Sequence, residues 1–176
     1  MSLARLCFLL IFFVAIQRQS ARADEVILME PFDPLKVAGT WYVWKRNTHL
    51  TEKTSSARCV RVDIEHDENA GDLYKMVVKW IDPSSGNLDI SFYVVDDRSH
   101  PARFTFKSDQ HKVALSVLGT DYDNWAVAYG MLGMKESYFV AARKLPLDDS
   151  LNADIDAIIK KNQVSKEFDI IDHSSC

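Results

Sequence analysis

KVAGTWYVWKRN, residues 36–47, decides how this chain is read. One residue separates Gly39 from Trp41, and the run that follows brings Tyr42 and Trp44 into the first strand-like segment. Such a run either seals the edge of an ordinary core or forms the plugged floor of a barrel that holds something. The rest of the sequence has to choose between them.

The first residues stand apart. Arg5 precedes an apolar run from Leu6 to Ile16, and Ala21-Arg22-Ala23 follows as an A-x-A site. A basic start, a short apolar middle and small residues at the cut make a secretory signal peptide over residues 1–23. A bilayer span needs about 20 apolar residues, so this run is too short to cross one, and no later segment is apolar for long enough. Cleavage after Ala23 would take 23 of 176 residues and leave 153, residues 24–176, enough for one domain with a sizeable core. Three arginines leave with the leader, so 21 basic residues become 18 against 25 acidic, a net of −7. That balance argues against nucleic acid and anionic membrane surfaces, which want basic patches. Cys7 leaves too, and Cys59 and Cys176 remain as an even pair in an oxidising compartment, where a disulfide is favoured over two free thiols.

Along the mature chain, period-two runs dominate. In RCVRVDIEH, residues 58–66, Val60, Val62 and Ile64 face one way and Arg61, Asp63 and Glu65 the other. LYKMVVKWI alternates Tyr74, Met76, Val78 and Trp80 with lysines, and LDISFYV puts Leu88, Ile90, Phe92 and Val94 on one face. ARFTFK, KVALSVL, NWAVAYG and SYFVAARK complete eight strands, separated by clusters of Gly, Asp, Asn and Ser. Eight short strands at regular spacing predict an all-β antiparallel sandwich or barrel. The pattern changes once: in SLNADIDAIIKKN, Leu151, Ile155, Ile158 and Ile159 form one helical stripe. A single late helix cannot cover both faces of a sheet, and it is more naturally a brace outside a closed barrel.

Three of these stretches together resemble the signature regions of the lipocalins. They are Gly39-Thr40-Trp41-Tyr42 at the first strand, Thr120-Asp121-Tyr122 with Asn124 and Trp125 before the seventh, and Arg143 closing the eighth. Order and spacing agree, and the likeness covers essentially all of residues 24–176. Ala57-Arg58-Cys59 and the TDYxN stretch look closest to the apolipoprotein D and insect bilin- and odorant-binding type. Many of those relatives carry a second disulfide, for which this chain lacks the cysteines; Met131 stands near one expected position. The resemblance implies an eight-stranded antiparallel up-and-down β-barrel with one C-terminal α-helix packed outside, and a bridge from Cys59 to Cys176. It also implies that Gly39, Trp41, Thr120, Asp121, Tyr122 and Arg143 hold the closed end and are structural rather than catalytic.

Strand parity then proposes a site. If Arg143 faces inward, so do Ala141, Phe139 and Ser137, and the resemblance puts Ala126 and Ala128 inside on the neighbouring strand. Trp125, Val127 and Tyr129 fall outside, beneath the helix. The remaining inward candidates are Val43, Val62, Ile64, Met76, Leu88 and Ile90, then Phe92, Phe104, Phe106, Leu115 and Val117. Each is an ordinary core residue on its own; collectively they describe an apolar cavity for one small ligand. Lys45 shares parity with Trp41 and Val43, so it stands as a candidate to meet a carboxylate near the mouth or as a solvated strand-end lysine. The loop of residues 47–56 is the expected gate.

No catalytic machinery is legible. His49, His66, His100, His111 and His173 are scattered without metal-ligand spacing, and Asp96-Asp97 and Asp148-Asp149 suit turns and a helix start. No metal and no cofactor are therefore expected. The sequence points to a secreted, extracellular, non-enzymatic carrier of a small hydrophobic ligand such as a fatty acid, retinoid, steroid, bilin, odorant or biogenic amine. No membrane span is expected, and the sequence leaves open whether a receptor or a second copy is engaged. Two alternatives stay open: a lipocalin-type isomerase using a free Cys59, and a surface-recognition protein whose barrel is full.

Overall fold

β-Branched and aromatic residues alternating with charged ones favour extended chain with one buried face, and every such run becomes a strand. The computed structural model describes residues 26–48, 56–67, 73–95, 99–132, 135–164 and 167–176. The expected leader, the centre of the expected gate at 49–55, and Asp96-Asp97 lie outside the described residues. The strands are β1 (Gly39–Thr48), β2 (Arg58–Asp67), β3 (Leu73–Asp82), β4 (Gly86–Val95), β5 (Arg103–Lys107), β6 (Lys112–Thr120), β7 (Trp125–Leu132) and β8 (Lys135–Ala142). Each pairs antiparallel with the next, and β1 pairs with both β8 and β2, which closes the barrel. The expected eight-stranded up-and-down barrel is the observed one.

Two apolar layers result. Inside, Tyr74, Met76, Phe92, Phe104, Phe106 and Val117 pack together. Outside, helix α1 (Asn152–Lys161) buries Ile155 completely against Val127 and Val140, with Trp125, Tyr129 and Leu118 around them. Asp148 accepts the Ser150 N–H at 2.9 Å and starts the short 3-10 turn that leads into α1. A bulge between Val117 and Gly119 turns Gly119 toward the helix, where an added Cβ would stand 2.8 Å from Ile158.

β1 is the least regular strand. Its first half pairs with β2, from Gly39↔Ile64 to Tyr42↔Arg61. Its second half pairs instead with a two-residue strand, β9 (Asp169–Ile170), through Lys45↔Ile170 and Arg46↔Asp169. The C-terminal tail thus fills the gap where β2 diverges. Ile171 donates to the Trp44 carbonyl at 2.9 Å, and Cys59 donates to the Asp172 carbonyl at 2.9 Å. A Cys59–Cys176 disulfide ties the end of this tail to β2.

The closed end is built around one cation. The Arg143 guanidinium lies 3.7 Å from the centre of the Trp41 ring, and it donates to the carbonyls of Tyr122 (3.1 Å), Thr40 (3.2 Å) and Lys36 (3.1 Å). Trp41 in turn donates its indole N–H to the Val37 carbonyl at 2.8 Å. Gly39 is required twice here: its φ is +101°, and a Cβ would stand 3.0 Å from the Arg143 Nη1. Beside this floor, Asp121 accepts from the backbone N–H groups of Asn124 (2.8 Å) and Trp125 (3.0 Å) and from the Asn124 side chain. Desolvation works against its charge, but these donors outweigh it and hold the carboxyl below its ordinary pKa.

Three expectations follow from this arrangement. Gly119→Ala should cost about 1–3 kcal/mol by overpacking; in urea unfolding, its cost on top of Ile158→Ala should be smaller than on the parent, because the colliding atoms are gone. Arg143→Ala should lower stability by about 2–4 kcal/mol, and Arg143→Lys should recover less than half, because an ammonium cannot reach three carbonyls and stack on the indole. A folded carboxyl pKa below the unfolded one stabilises the protein above the unfolded pKa, about 4, and that stabilisation is lost as pH falls through the folded value. Asp121→Asn should therefore be less stable than the parent at neutral pH, with the gap narrowing in melts recorded below about pH 4.

Candidate ligand-binding site

The barrel encloses a cavity of about 360 Å³, within the size range of small-molecule sites. Its floor is Trp41 with Val37. Above the floor, β1 supplies Val43, β2 supplies Val62 and Ile64, β3 supplies Met76, and β4 supplies Ile90 and Phe92. Phe104 and Phe106 come from β5, Leu115 and Val117 from β6, Ala126 and Ala128 from β7, and Phe139 from β8. All of these come from the strand faces expected to point inward, by parity or, for Ala126 and Ala128, by the resemblance. On β7 the inward positions are small: Ala126 and Ala128 leave room that larger side chains would fill, while beside Gly130 the Phe139 ring stands where a Cβ would go, 3.0 Å away.

Leu88 is the exception among the inward candidates. It lies opposite Trp80 on the inner face, yet it is 36% exposed and does not line the cavity. β5 pairs with β4 only over Tyr93–Val95, so the first half of β4, which carries Leu88, extends past the end of β5 toward the mouth. Tyr74, Val78 and Trp80 do line the cavity, and so do Val60 and Val113. They were not among the inward candidates, although their parity with Met76, Val62 and Leu115 is the signal that would have found them.

Lys45 does not face the lumen. β1 carries a bulge between Val43 and Lys45 relative to β8, so that Trp44 and Lys45 both point outward and Arg46 takes the inward position opposite Phe139. Lys45 Nζ lies 4.7 Å from the Trp44 ring centre, 5.5 Å from that of Phe168 and 3.9 Å from Asp156 on α1. The lysine thus pins helix and tail to the outer wall. Arg46 is 6% exposed and lines the cavity. Burial lowers its pKa, and the charge of Asp169 on β9 offsets part of that effect. A period-two reading carried across a bulge exchanges the two cations, and nothing in VWKR marks the extra residue.

Cys59, the thiol candidate, is bonded to Cys176. His66 lies near the end of β2 beside Tyr74, with ring centres 5.2 Å apart, and His173 bonds the Val43 carbonyl at 2.9 Å. Among the described residues no group of three or more His, Cys, Asp or Glu is placed to hold a metal ion.

No family model matches the chain, and no curated protein sequence matches it. Solved structures do. A biogenic amine-binding protein is 17% identical over 81% of this chain and 81% of its own, with a TM-score of 0.66. Apocrustacyanin A1 of lobster is 20% identical over 81% of each chain, with a TM-score of 0.63. The major allergen Per a 4 from cockroaches is 18% identical over 86% of this chain and 98% of its own, with a TM-score of 0.68. With eight antiparallel strands closed into an up-and-down barrel, one helix outside and an Arg143–Trp41 floor, the fold is that of the lipocalins.

Proposed function

We propose that the protein is a secreted lipocalin, a non-enzymatic extracellular carrier that takes one small hydrophobic molecule into the barrel and shields it from water. The observation that carries this reading is the apolar cavity of about 360 Å³ inside the barrel, floored by Trp41 and given room by the alanines of β7. Removing apolar ligand surface from water contributes about 25 cal/mol per Å², against the ordering costs of association. A cavity of that size favours a carrier over a protein that recognises partners through its surface alone. The Cys59–Cys176 bridge supports export to an oxidising compartment, and it leaves Cys59 no thiolate with which to attack a substrate.

Native mass spectrometry of protein taken from its source tissue, with organic extraction, should find about one small apolar molecule per barrel. Trp41 and Trp80 both line the cavity, so apolar probes should quench their fluorescence. Ala128→Phe, which fills the lumen opposite Phe139, should lower probe affinity about tenfold or more while leaving the barrel folded by circular dichroism. A parent protein that arrives empty and is quenched by no apolar probe would remove the carrier reading in favour of surface recognition.

A further inference from the structure

Among the described residues, the cavity wall carries one formally charged side chain, Arg46, and no Asp, Glu, Lys or His. The bulge in β1 alone puts it there. Arg46 stands on the mouth side of the lumen, three residues beyond Val43 on a strand that rises from the Trp41 floor. Ser137, 4% exposed on the adjacent β8, also lines the wall at this level, since it pairs with Thr48 two positions above the Arg46↔Phe139 pair. Asp169, whose charge acts on Arg46, is exposed on β9 and is not part of the wall. Below Arg46 the lining is apolar and aromatic down to Trp41, whose own N–H is taken by Val37.

We infer that the ligand is an amphipathic carboxylic acid, held with its hydrocarbon body on the apolar floor and its carboxylate against Arg46 and Ser137 near the mouth. The inference rests on the carrier reading and names its substrate class. A guanidinium has five N–H donors in a planar fork, so it accepts a carboxylate alongside the protein partners it already has. The same site disfavours cations: an ammonium entering the lumen would meet a buried positive charge and no wall carboxylate. That separates this chain from the biogenic amine-binding protein that shares its fold at 17% identity. A neutral alcohol of equal length would bury the same chain and leave the charge-assisted bond unmade.

Three probes with one C12 chain test this: dodecanoic acid, dodecanol and dodecylamine, measured by displacement of an apolar dye from the mature protein. The acid should bind about 10–100-fold tighter than the alcohol, as a hydrogen bond to a charged group implies, and the amine should be the weakest. Arg46→Gln should abolish the preference for acid over alcohol measured on the same variant, whereas Arg46→Lys should keep part of it. Equal affinity for acid and alcohol in the parent protein, tighter binding of the amine, or a preference that survives Arg46→Gln would overturn the inference while leaving a carrier. The comparison in the parent protein decides even where a variant fails to fold. If neither the dye nor any C12 probe enters the barrel, the carrier reading falls and takes the inference with it.

Discussion

The Arg143 guanidinium, caught between the Trp41 ring and three backbone carbonyls, is the contact on which the rest of the barrel depends. A barrel of short strands has no covalent reason to close at one end and stay open at the other. Here three separate segments end on one side chain: the turn before β1 through Lys36, β1 itself through Thr40, and the β6–β7 connection through Tyr122. The N-terminal segment then crosses beneath, with Phe32 packed on Phe104 and Tyr122 and the Asp33 N–H bonded to the Tyr122 hydroxyl. With these groups satisfied by one another, Trp41 is free to present an apolar face upward. The floor of the cavity is therefore a by-product of closing the barrel.

The bulge in β1 divides the labour between two cations. Without it, alternation from Trp41 and Val43 would place Lys45 in the lumen and Arg46 outside. With it, the lysine reaches Asp156, Trp44 and Phe168 on the outer wall and the arginine is buried inside. Bulges re-aim side chains without changing the strand order. The exchange matters chemically: a strongly hydrated ammonium suits the partly exposed outer site, and a planar, weakly hydrated guanidinium suits a desolvated wall.

Much of this was legible in the sequence, for physical reasons that also mark where legibility stops. Strand number, the outer position of α1 and the inward faces of β3 to β8 follow from period two and period 3.6, which are fixed by backbone geometry. The G-x-W and TDYxNW stretches and Arg143 identify the closed end because a tight backbone entry, an aspartate-capped turn and a guanidinium over an indole need those residue types. Two candidates for the lumen, Lys45 and Leu88, do not line it, and the reasons differ. Lys45 and Arg46 exchange faces at a bulge set by pairing with β8, a partner more than ninety positions away in the chain. Leu88 keeps its inward parity but lies on the part of β4 that extends beyond the short β5, and strand length against a neighbour is not written in either strand alone.

The tail explains why the irregular half of β1 is stable at all. Once β1 separates from β2 beyond Tyr42, the backbone groups on that side need partners, and among the described residues β9 and the residues after it supply them. A strand of two residues, one of them the 72%-exposed Ile170, buries too little to hold itself in register. Cys59 supplies the anchor, bonding the Asp172 carbonyl through its backbone and Cys176 through its sulfur. Constraining a separation of 117 residues stabilises mainly by restricting the unfolded chain. Here it also fixes locally the strand that lies against Arg46. The disulfide and the tail it anchors thus hold the half of β1 that carries both the bulge and the buried guanidinium.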